Sequence, residues 1–255
     1  MTSSQSASTS TSASTSATPA SVPAPAPVLA VSTVIFSLRP SDTTGRMALH
    51  IPLVRRIREP FQGSWALPGG PLECDEDLSD AARRHLLDTT ALSPTYLEQL
   101  YAFGAPSRSS DPAAVRVVSI VYWALVAQVS GHAPALVDGD PNVCWFDADD
   151  LPDLAFDHRT IVDYALWRLR TKMEYSRIAH AFIGDVFTLA QLREVHEAVL
   201  GRDLDPANFR RMIEASDSVV PTGEVLTGTK HRPPKLYRYS PPERSPLSEN
   251  NEIPV

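Results

Sequence analysis

A proline-glycine turn followed by a helix with charged residues at fixed spacing most constrains the fold of this chain. Residues 67–70 read Leu-Pro-Gly-Gly, Glu76 follows Gly70 after five residues, and Arg84 follows Glu76 after seven. Proline and glycine favour a turn, and the apolar spacing over residues 78–89 predicts a helix directly behind it. The sequence therefore predicts a loop held in a fixed position against the start of a helix.

One face of this predicted helix is poor in metal ligands. Positions 85, 88 and 89 are spaced i, i+3 and i+4, so they share one face. Three carboxylates there would suit Mg²⁺, which prefers oxygen ligands in octahedral geometry. The chain has His85, Asp88 and Thr89 instead, so only one negative charge is available. Because the missing carboxylates are also the candidate general bases, we expect the site to bind its ligand without cleaving it.

The same segment resembles the signature of the Nudix family, whose members cleave nucleoside diphosphates linked to another group. The first three fixed positions and both aliphatic positions of the signature are kept, namely Gly70, Glu76, Arg84, Leu86 and Leu92. The positions of the three later glutamates and of the late glycine are changed, namely His85, Asp88, Thr89 and Ala91. The resemblance implies that Glu76 and Arg84 stabilise the loop, which is a structural role that does not require a metal.

The plain alternative is an amphipathic helix that follows a turn and has no ligand site. Neighbouring residues favour the Nudix resemblance: Arg55 and Arg56 end an aliphatic strand, and Trp-Ala-Leu-Pro-Gly-Gly occupies residues 65–70. A further matching segment, Leu-Ala-Phe-Asp-His at 154–158, precedes a long helix that is expected to begin at Asp157, a favourable N-cap residue.

Strand and helix patterns that alternate along the chain predict an α/β fold, the Nudix α/β/α sandwich. Segments rich in Val, Ile, Phe and Tyr predict strands at residues 28–38, 47–56, 97–103 and 115–126. We divide the chain into a Nudix-like sensing domain at 27–156, a linker helix at 157–176 and a second domain at 177–240. Residues 1–26 are uncharged and rich in Ser, Thr, Ala and Pro, so they are expected to be disordered. Residues 241–255 are also expected to form a disordered tail.

The second domain begins with the pattern of a capped helix. Thr188 and Gln191 have the spacing of a capping box, and Gly201 is a natural helix end. Asp205 and Pro206 then begin another helix. Three apolar side chains of this next helix are expected to face inward: Phe209, Met212 and Ile213.

Two helices joined by a tight turn and followed by a hairpin predict a winged helix-turn-helix. In that fold the second helix enters the major groove, and a basic hairpin contacts phosphates or the minor groove. The polar residues expected at the DNA are Asn208, Arg210 and Arg211 on the helix and Lys230, Arg232, Lys235 and Arg238 on the hairpin. The alternative is a solvated charge run on a small packing domain.

Together the two halves resemble the Nudix-related transcriptional regulators of NAD metabolism, over about residues 28–239. The most specific segments are Asn-Phe-Arg-Arg at 208–211 and Arg-Pro-Pro-Lys-Leu-Tyr-Arg at 232–238. The resemblance implies a homodimeric repressor of NAD synthesis or salvage genes that binds a palindromic operator in double-stranded DNA. It also implies that ADP-ribose, or a related NAD-derived nucleotide, binds the Nudix-like domain as effector and releases the DNA, with no cofactor required.

For the effector site we expect arginines near the phosphates, a turn close to the ligand, a pair that shapes the loop and an aromatic ring on the adenine. The arginines are Arg56 and Arg58, and the turn is formed by Pro68, Gly69 and Gly70. The pair is Glu76 and Arg84, and the aromatic ring is Phe103. Each has a plain alternative, because Arg56 could be a solvated strand residue and Phe103 a core residue.

Composition narrows the remaining possibilities. The net charge of −7 means that any DNA-binding surface is a local basic patch. Cys74 and Cys144 lack metal-ligand spacing, which favours reduced thiols in a cytoplasmic protein. No run approaches the roughly 18 apolar residues that span a bilayer, so no membrane partner is expected.

Two other functions stay open at this point. The first is an active Nudix hydrolase, an ADP-ribose pyrophosphatase with an appended winged helix, in which Asp88, Glu76 and Glu73 hold a hydrated metal. The second is a binding module whose C-terminal domain contacts protein and not DNA.

Overall fold

The computed structural model describes residues 26–91, 94, 96–108, 115–126, 142–175, 177–216, 218–228 and 233–240. Within these residues the chain forms a mixed seven-stranded sheet with helices, followed by a smaller three-stranded sheet with helices. No helix in these ranges is long and apolar enough to cross a membrane.

The larger sheet belongs to the first part of the chain. Its strands are β1 (Val28–Pro40), β2 (Met47–Arg55), β3 (Trp65–Ala66), β4 (Gly69–Pro71), β5 (Tyr96–Phe103), β6 (Val117–Val126) and β7 (Val143–Asp147). Its helices are α1 (Leu78–Thr90) and α2 (His158–Tyr175). The strand order is β3-β2-β1-β6-β5, with β4 paired to β1 and β7 paired to β2.

The centre of this sheet is the parallel pair β1 and β6. Val34, Ile35 and Phe36 in β1 and Trp123 in β6 are fully buried. Both faces of these strands are covered, which explains why their sequences read as continuous apolar runs and not as alternating patterns. The four strands predicted from the sequence are present with small shifts at their ends, and β3, β4 and β7 complete the sheet.

The glycine pair of the signature lies in a strand, so the prediction of a turn at residues 68–70 is corrected. Gly69 and Gly70 pair with Ser32 and Val31 of β1, because β4 runs antiparallel to it. A Cβ added at Gly69 would lie 2.5 Å from the carbonyl oxygen of Val31. Glycine is therefore required here by close backbone approach, which no larger residue permits without displacing β1.

Helix α1 forms as predicted and is one residue longer. It begins after Asp77 and ends at Thr90, and Ala91, which follows, adopts a left-handed conformation with φ of 53°. Ala81, Ala82 and Leu86 are buried against the sheet. The helix therefore fixes the loop between β4 and α1 over the end of β1.

The smaller domain has winged helix topology. Its elements are α3 (His180–Ile183), β8 (Phe187–Thr188), α4 (Leu189–Leu200), α5 (Pro206–Ala215), β9 (Val219–Val225) and β10 (Lys235–Tyr239). The strand order is β8-β10-β9, and β9 and β10 form the hairpin known as the wing. The capping box of Thr188 and Gln191 is confirmed, and Gly201 ends α4 with φ of 65°.

Helix α5 also begins as predicted, with one error on its inner face. The carboxylate of Asp205 accepts a hydrogen bond from the Asn208 amide at 2.8 Å. Phe209 and Ile213 are buried, whereas Met212 is 53% exposed, so the prediction that Met212 faces inward is wrong. The buried stripe of α5 runs through Phe209 and Ile213. Met212 lies at the edge of this stripe, beside a cleft.

The two domains share one apolar core. Leu166, Leu169 and Met173 of α2 belong to the same buried cluster as Leu192 and Val199 of α4. The cluster extends from Phe36 and Trp123 in the larger sheet to Phe187 and Phe209 in the winged helix. Helix α2 is thus packed on both sides and connects the domains through buried contacts.

Candidate effector cavity and DNA-binding surface

A cavity of about 450 Å³ opens between β1, β4, β6 and the start of α2. Arg56, Arg108 and Arg116 line it, and no carboxylate is among the described residues that line it. Gly69 and Gly70 form part of its floor. A lining that has three arginines and no acid, set against apolar walls, favours an anionic ligand with an apolar portion.

The side chain of Arg56 is held in place by backbone and aromatic contacts. Its Nε donates to the carbonyl oxygen of Pro60 at 2.8 Å, and its guanidinium lies 4.6 Å from the centroid of the Phe156 ring. Burial lowers the pKa of Arg56, an effect that the charge of Glu59 opposes. An arginine remains charged under such a shift, so Arg56 presents a fixed cation to the cavity.

Arg108 is engaged by a neighbouring carboxylate. Its Nε donates to Oδ2 of Asp157 at 2.7 Å, and its Nη2 donates to Oδ1 at 2.8 Å. Its Nη1 donates to the carbonyl oxygen of Phe103 at 2.6 Å. Asp157 directly precedes α2 as predicted, and both of its carboxylate oxygens accept from Arg108.

His158 presents a neutral imidazole to the cavity. Its Nδ1 accepts a hydrogen bond from the Leu67 amide at 2.9 Å, so the proton of the neutral ring resides on Nε2. Burial lowers the pKa of His158 to about 4, which keeps the ring neutral near pH 7. Since His158 lines the cavity, its Nε2–H is a donor available to a ligand there.

Glu76 and Arg84 form an ion pair outside the cavity. Arg84 Nε donates to Oε2 of Glu76 at 2.9 Å, and Glu76 Oε1 accepts from the Glu73 amide at 3.0 Å. The hydrogen bond from Arg84, with that from the Glu73 amide, lowers the pKa of Glu76 to about 2. These contacts tie the loop before α1 to the helix itself.

The helix face that carries metal ligands in the Nudix signature is altered in a specific way. The imidazole of His85 packs under Gly70, where an added Cβ would be 2.7 Å from its Cε1. Its Nε2 is buried and has no hydrogen-bond partner in the described residues, and burial lowers the pKa of His85. Among those residues no group of three or more His, Cys, Asp or Glu side chains could hold a metal ion.

The structure does not bring every predicted effector residue into the cavity. Arg56, Gly69 and Gly70 line it, whereas Pro68 is buried beside it and Glu76 and Arg84 lie outside. Arg58 is exposed and contributes only its carbonyl oxygen, which accepts from Arg56 at 3.4 Å.

The side chain of Phe103 also lies away from the cavity. Its ring packs edge-on against Tyr101 and Tyr164, with centroid distances of 5.5 and 6.2 Å. The ring thus contacts the outer side of α2, and its stacking on an adenine stays a prediction.

The predicted DNA-contacting residues that the structure describes are exposed to solvent. Asn208, Arg210 and Arg211 on α5 and Lys235 and Arg238 on β10 are all exposed. Arg210 pairs with Glu214 at 2.8 Å, and Arg211 donates to the side-chain oxygen of Asn208. Lys230 and Arg232 lie outside the described residues.

Comparison with known families separates the same two parts. Residues 29–165 match the model of the NUDIX domain, and residues 180–239 match that of the NrtR DNA-binding winged helix domain. The ADPR responsive transcriptional repressor NtrR of Acinetobacter baylyi is 32% identical over 217 residues, which cover 84% of this chain and 82% of the relative. The chain belongs to the NrtR family.

A solved structure and a second relative extend this comparison. The Shewanella oneidensis NrtR, crystallised with a 27mer DNA, aligns with a TM-score of 0.67 at 32% identity, covering 83% of this chain and 93% of that one. The ADP-ribose pyrophosphatase of Methanocaldococcus jannaschii is 37% identical over 119 residues, which cover 46% of this chain and 67% of the relative. The first likeness spans both domains, and the second is confined to about half of the chain.

The cavity residues of this NrtR-family chain that are absent from the predicted set include two arginines, an aromatic ring and a histidine: Arg108, Arg116, Phe156 and His158. The segment at 154–158 resembles its family and could have pointed to Phe156 and His158. Arg108 and Arg116 lie in the connection between β5 and β6, and no sequence pattern links either of them to the signature loop. Only the paired strands show that both arginines reach the same opening.

Proposed function

We propose that this chain represses genes of NAD biosynthesis or salvage by binding DNA, and that ADP-ribose or a related NAD-derived nucleotide is its effector. The observation that carries the proposal is a cavity lined by three arginines and no described carboxylate, on a chain that also has a winged helix domain. The relative from A. baylyi, an ADP-ribose-responsive repressor by name, supports this assignment.

The cavity suits a diphosphate joined to two nucleoside-like ends. Arg56 and Arg108 would bind the phosphate oxygens, because guanidinium groups match such acceptors in geometry and charge. The His158 Nε2–H would donate to a ribose or phosphate oxygen. Gly69 and Gly70 would let the ligand approach the backbone. Glu76 and Arg84 would act indirectly by holding the loop.

The winged helix would contact DNA through α5 and the wing. We assign base or phosphate contacts to the exposed polar residues already described, Asn208, Arg210, Arg211, Lys235 and Arg238, and to Lys230 and Arg232. A single small basic surface gives mainly salt-sensitive, non-specific binding. A homodimer with two such surfaces would read the two half-sites of a palindromic operator, as expected for a cytoplasmic repressor.

We further propose that the chain does not hydrolyse its effector. His85 replaces a carboxylate with an imidazole that is packed under Gly70, and Asp88 is exposed at the edge of the same face. The likeness to an ADP-ribose pyrophosphatase makes hydrolysis the second candidate function. In that case Asp88, Glu76 and Glu73 would have to bind a hydrated Mg²⁺.

One experiment tests binding and release together. The full chain is mixed with labelled duplexes from upstream of NAD-synthesis genes, and the operator affinity is measured at two salt concentrations while ADP-ribose is titrated. We expect affinity that falls steeply with salt and falls again with ADP-ribose, and no binding at either salt concentration would contradict the repressor. Chromatography of the same mixture with Mg²⁺ checks for AMP, and rapid AMP release would favour the hydrolase.

A further inference from the structure

Arg108 belongs to two structural units at once. It lines the effector cavity, and it also forms a two-bond ion pair with Asp157. The two side chains are only 11% and 24% exposed. A charge pair in such surroundings is strong and depends on good geometry, so any group that competes for Arg108 has a large effect on Asp157.

Asp157 is not among the residues that line the cavity, and it directly precedes α2. Its backbone carbonyl accepts from the Ile161 amide at 3.2 Å in the first turn of the helix. Its side chain is turned toward Arg108, so the pair ties this first turn to the short 3-10 helix at Pro106–Arg108. The pair therefore sets the position of the α2 N-terminus relative to the cavity wall.

The two residues beside Asp157 attach the same helix end to other cavity walls. Phe156 packs on the Arg56 guanidinium and has a φ of 57°, which is costly for a residue other than glycine. His158 accepts from the Leu67 amide at 2.9 Å. Three consecutive residues thus contact three separate segments around one cavity, and the backbone strain is located at Phe156.

Movement at this end of α2 would reach the winged helix through packed contacts. Leu169 and Met173 are buried in the core that also contains Leu192 and Val199 of α4. Arg170 donates to the carbonyl oxygen of Val199 at 2.9 Å at the end of α4. A shift of α2 would therefore displace α4 and, through the shared core, α5.

We propose that the effector and Asp157 compete for Arg108, so that an anionic group bound in the cavity weakens the Arg108–Asp157 pair and frees the first turn of α2. This inference rests on the proposed function. ADP-ribose then favours the arrangement with the pair open, and DNA favours the arrangement with the pair closed. An effector can shift an equilibrium only through such a difference in affinity between two states.

The test is the neutral variant Asp157→Asn in the full chain. It should resemble the liganded protein before any ligand is added, because its pair is already weak. We expect it to bind ADP-ribose about fivefold or more tightly, to bind the upstream duplex more weakly, and to lose most of the roughly 5- to 150-fold effect of ADP-ribose on that duplex. Calorimetry and gel shift measure these changes.

Asp163→Asn is the matched control, since Asp163 lies on the same helix in an exposed pair with Arg159 at 3.0 Å. It should behave as the wild type, and Asp157→Glu, which restores the charge, should recover most of the coupling. Mere structural damage would weaken the binding of both ligands. If Asp157→Asn binds ADP-ribose no more tightly than the wild type, the competition is overturned.

Hydrogen exchange in the wild type provides a readout that depends on no variant. The amides of residues 158–161 should exchange faster when ADP-ribose is bound, and unchanged exchange would also overturn the inference. Either negative result leaves the proposed function intact, provided that ADP-ribose still binds and still releases the duplex. Failure of ADP-ribose to bind any of these proteins would instead refute the proposed effector.

Discussion

The effector cavity and the DNA-binding surface both depend on arginines but hold them in opposite ways. In the cavity, Arg56 and Arg108 are fixed by backbone carbonyls, an aromatic ring and a half-buried carboxylate. On α5, Arg210 and Arg211 are exposed, and each contacts a near neighbour of its own helix. The cavity arginines are therefore held in place before a ligand arrives, whereas the arginines of the surface would gain their order from the DNA. Substitutions in the two regions should differ accordingly.

Acid should produce the largest effect, and it should reach both regions. Burial lowers the pKa of His158 and of His196 to about 4, from an ordinary value of 6.5. A histidine whose folded pKa is depressed stabilises the fold fully above pH 6.5, and this stability is lost as the pH falls toward 4. Urea unfolding from pH 7 to pH 4 should show a steep loss of the free energy of unfolding.

The two histidines can be separated by substitution. His196 packs against Phe209 with a centroid distance of 5.2 Å, so His196→Leu should flatten part of the acid dependence while the fold is kept. His158→Leu should also destabilise the chain at neutral pH, because the Leu67 amide loses its acceptor. Equal stability of both variants at pH 7 would contradict a special role of His158.

Gly69→Ala should produce the next largest effect. The new Cβ would lie 2.5 Å from one backbone atom of β1, so the strand must move, and a loss of about 3 kcal/mol is expected. Gly104→Ala is the control, since its Cβ would meet only the Val118 side chain at 3.3 Å. Denaturant unfolding measures both variants, and similar losses would show that close approach of β4 to β1 is unimportant.

Arg56→Ala should weaken effector binding without affecting DNA binding. The loss of a fixed charge-assisted contact to phosphate is worth about 2 kcal/mol, or about 30-fold in ADP-ribose affinity. Operator affinity in the absence of ligand should stay near the wild-type value. Calorimetry and gel shift test the two halves of this prediction, and an unchanged ADP-ribose affinity would remove Arg56 from the site.

The exposed arginines should give the smallest effect for each residue. Arg211→Ala and Arg232→Ala should each weaken operator binding by about 1 kcal/mol and reduce its salt dependence, because each removes one phosphate or base contact. ADP-ribose affinity and the free energy of unfolding should not change. Full-strength DNA binding by the double variant would disprove the assigned surface.

The sequence predicts the parts of this molecule that depend on local signals. The capping box at Thr188, the helix end at Gly201 and the cap at Asp205 are each specified within a few residues, and each is present. The Glu76–Arg84 pair is likewise found where the signature places it. These features need no knowledge of distant segments.

The positions that the sequence does not predict depend on tertiary packing. The ring of Phe103 contacts Tyr164 of α2, which lies far from it in the sequence. Arg108 reaches the cavity through its pair with Asp157, and no local pattern links these two positions. The two-residue strand β8 exists only because β10 pairs with it, so its short sequence carries no signal of its own.

The continuous core beneath α2 has a consequence for how this protein melts. Leu169 and Met173 would be left in contact with water if the C-terminal domain opened by itself. Separate thermal transitions are therefore disfavoured, and the whole chain should lose its structure in one cooperative step. A nucleotide that saturates the effector cavity would then raise the melting temperature of the winged helix domain as well, although the nucleotide does not contact that domain.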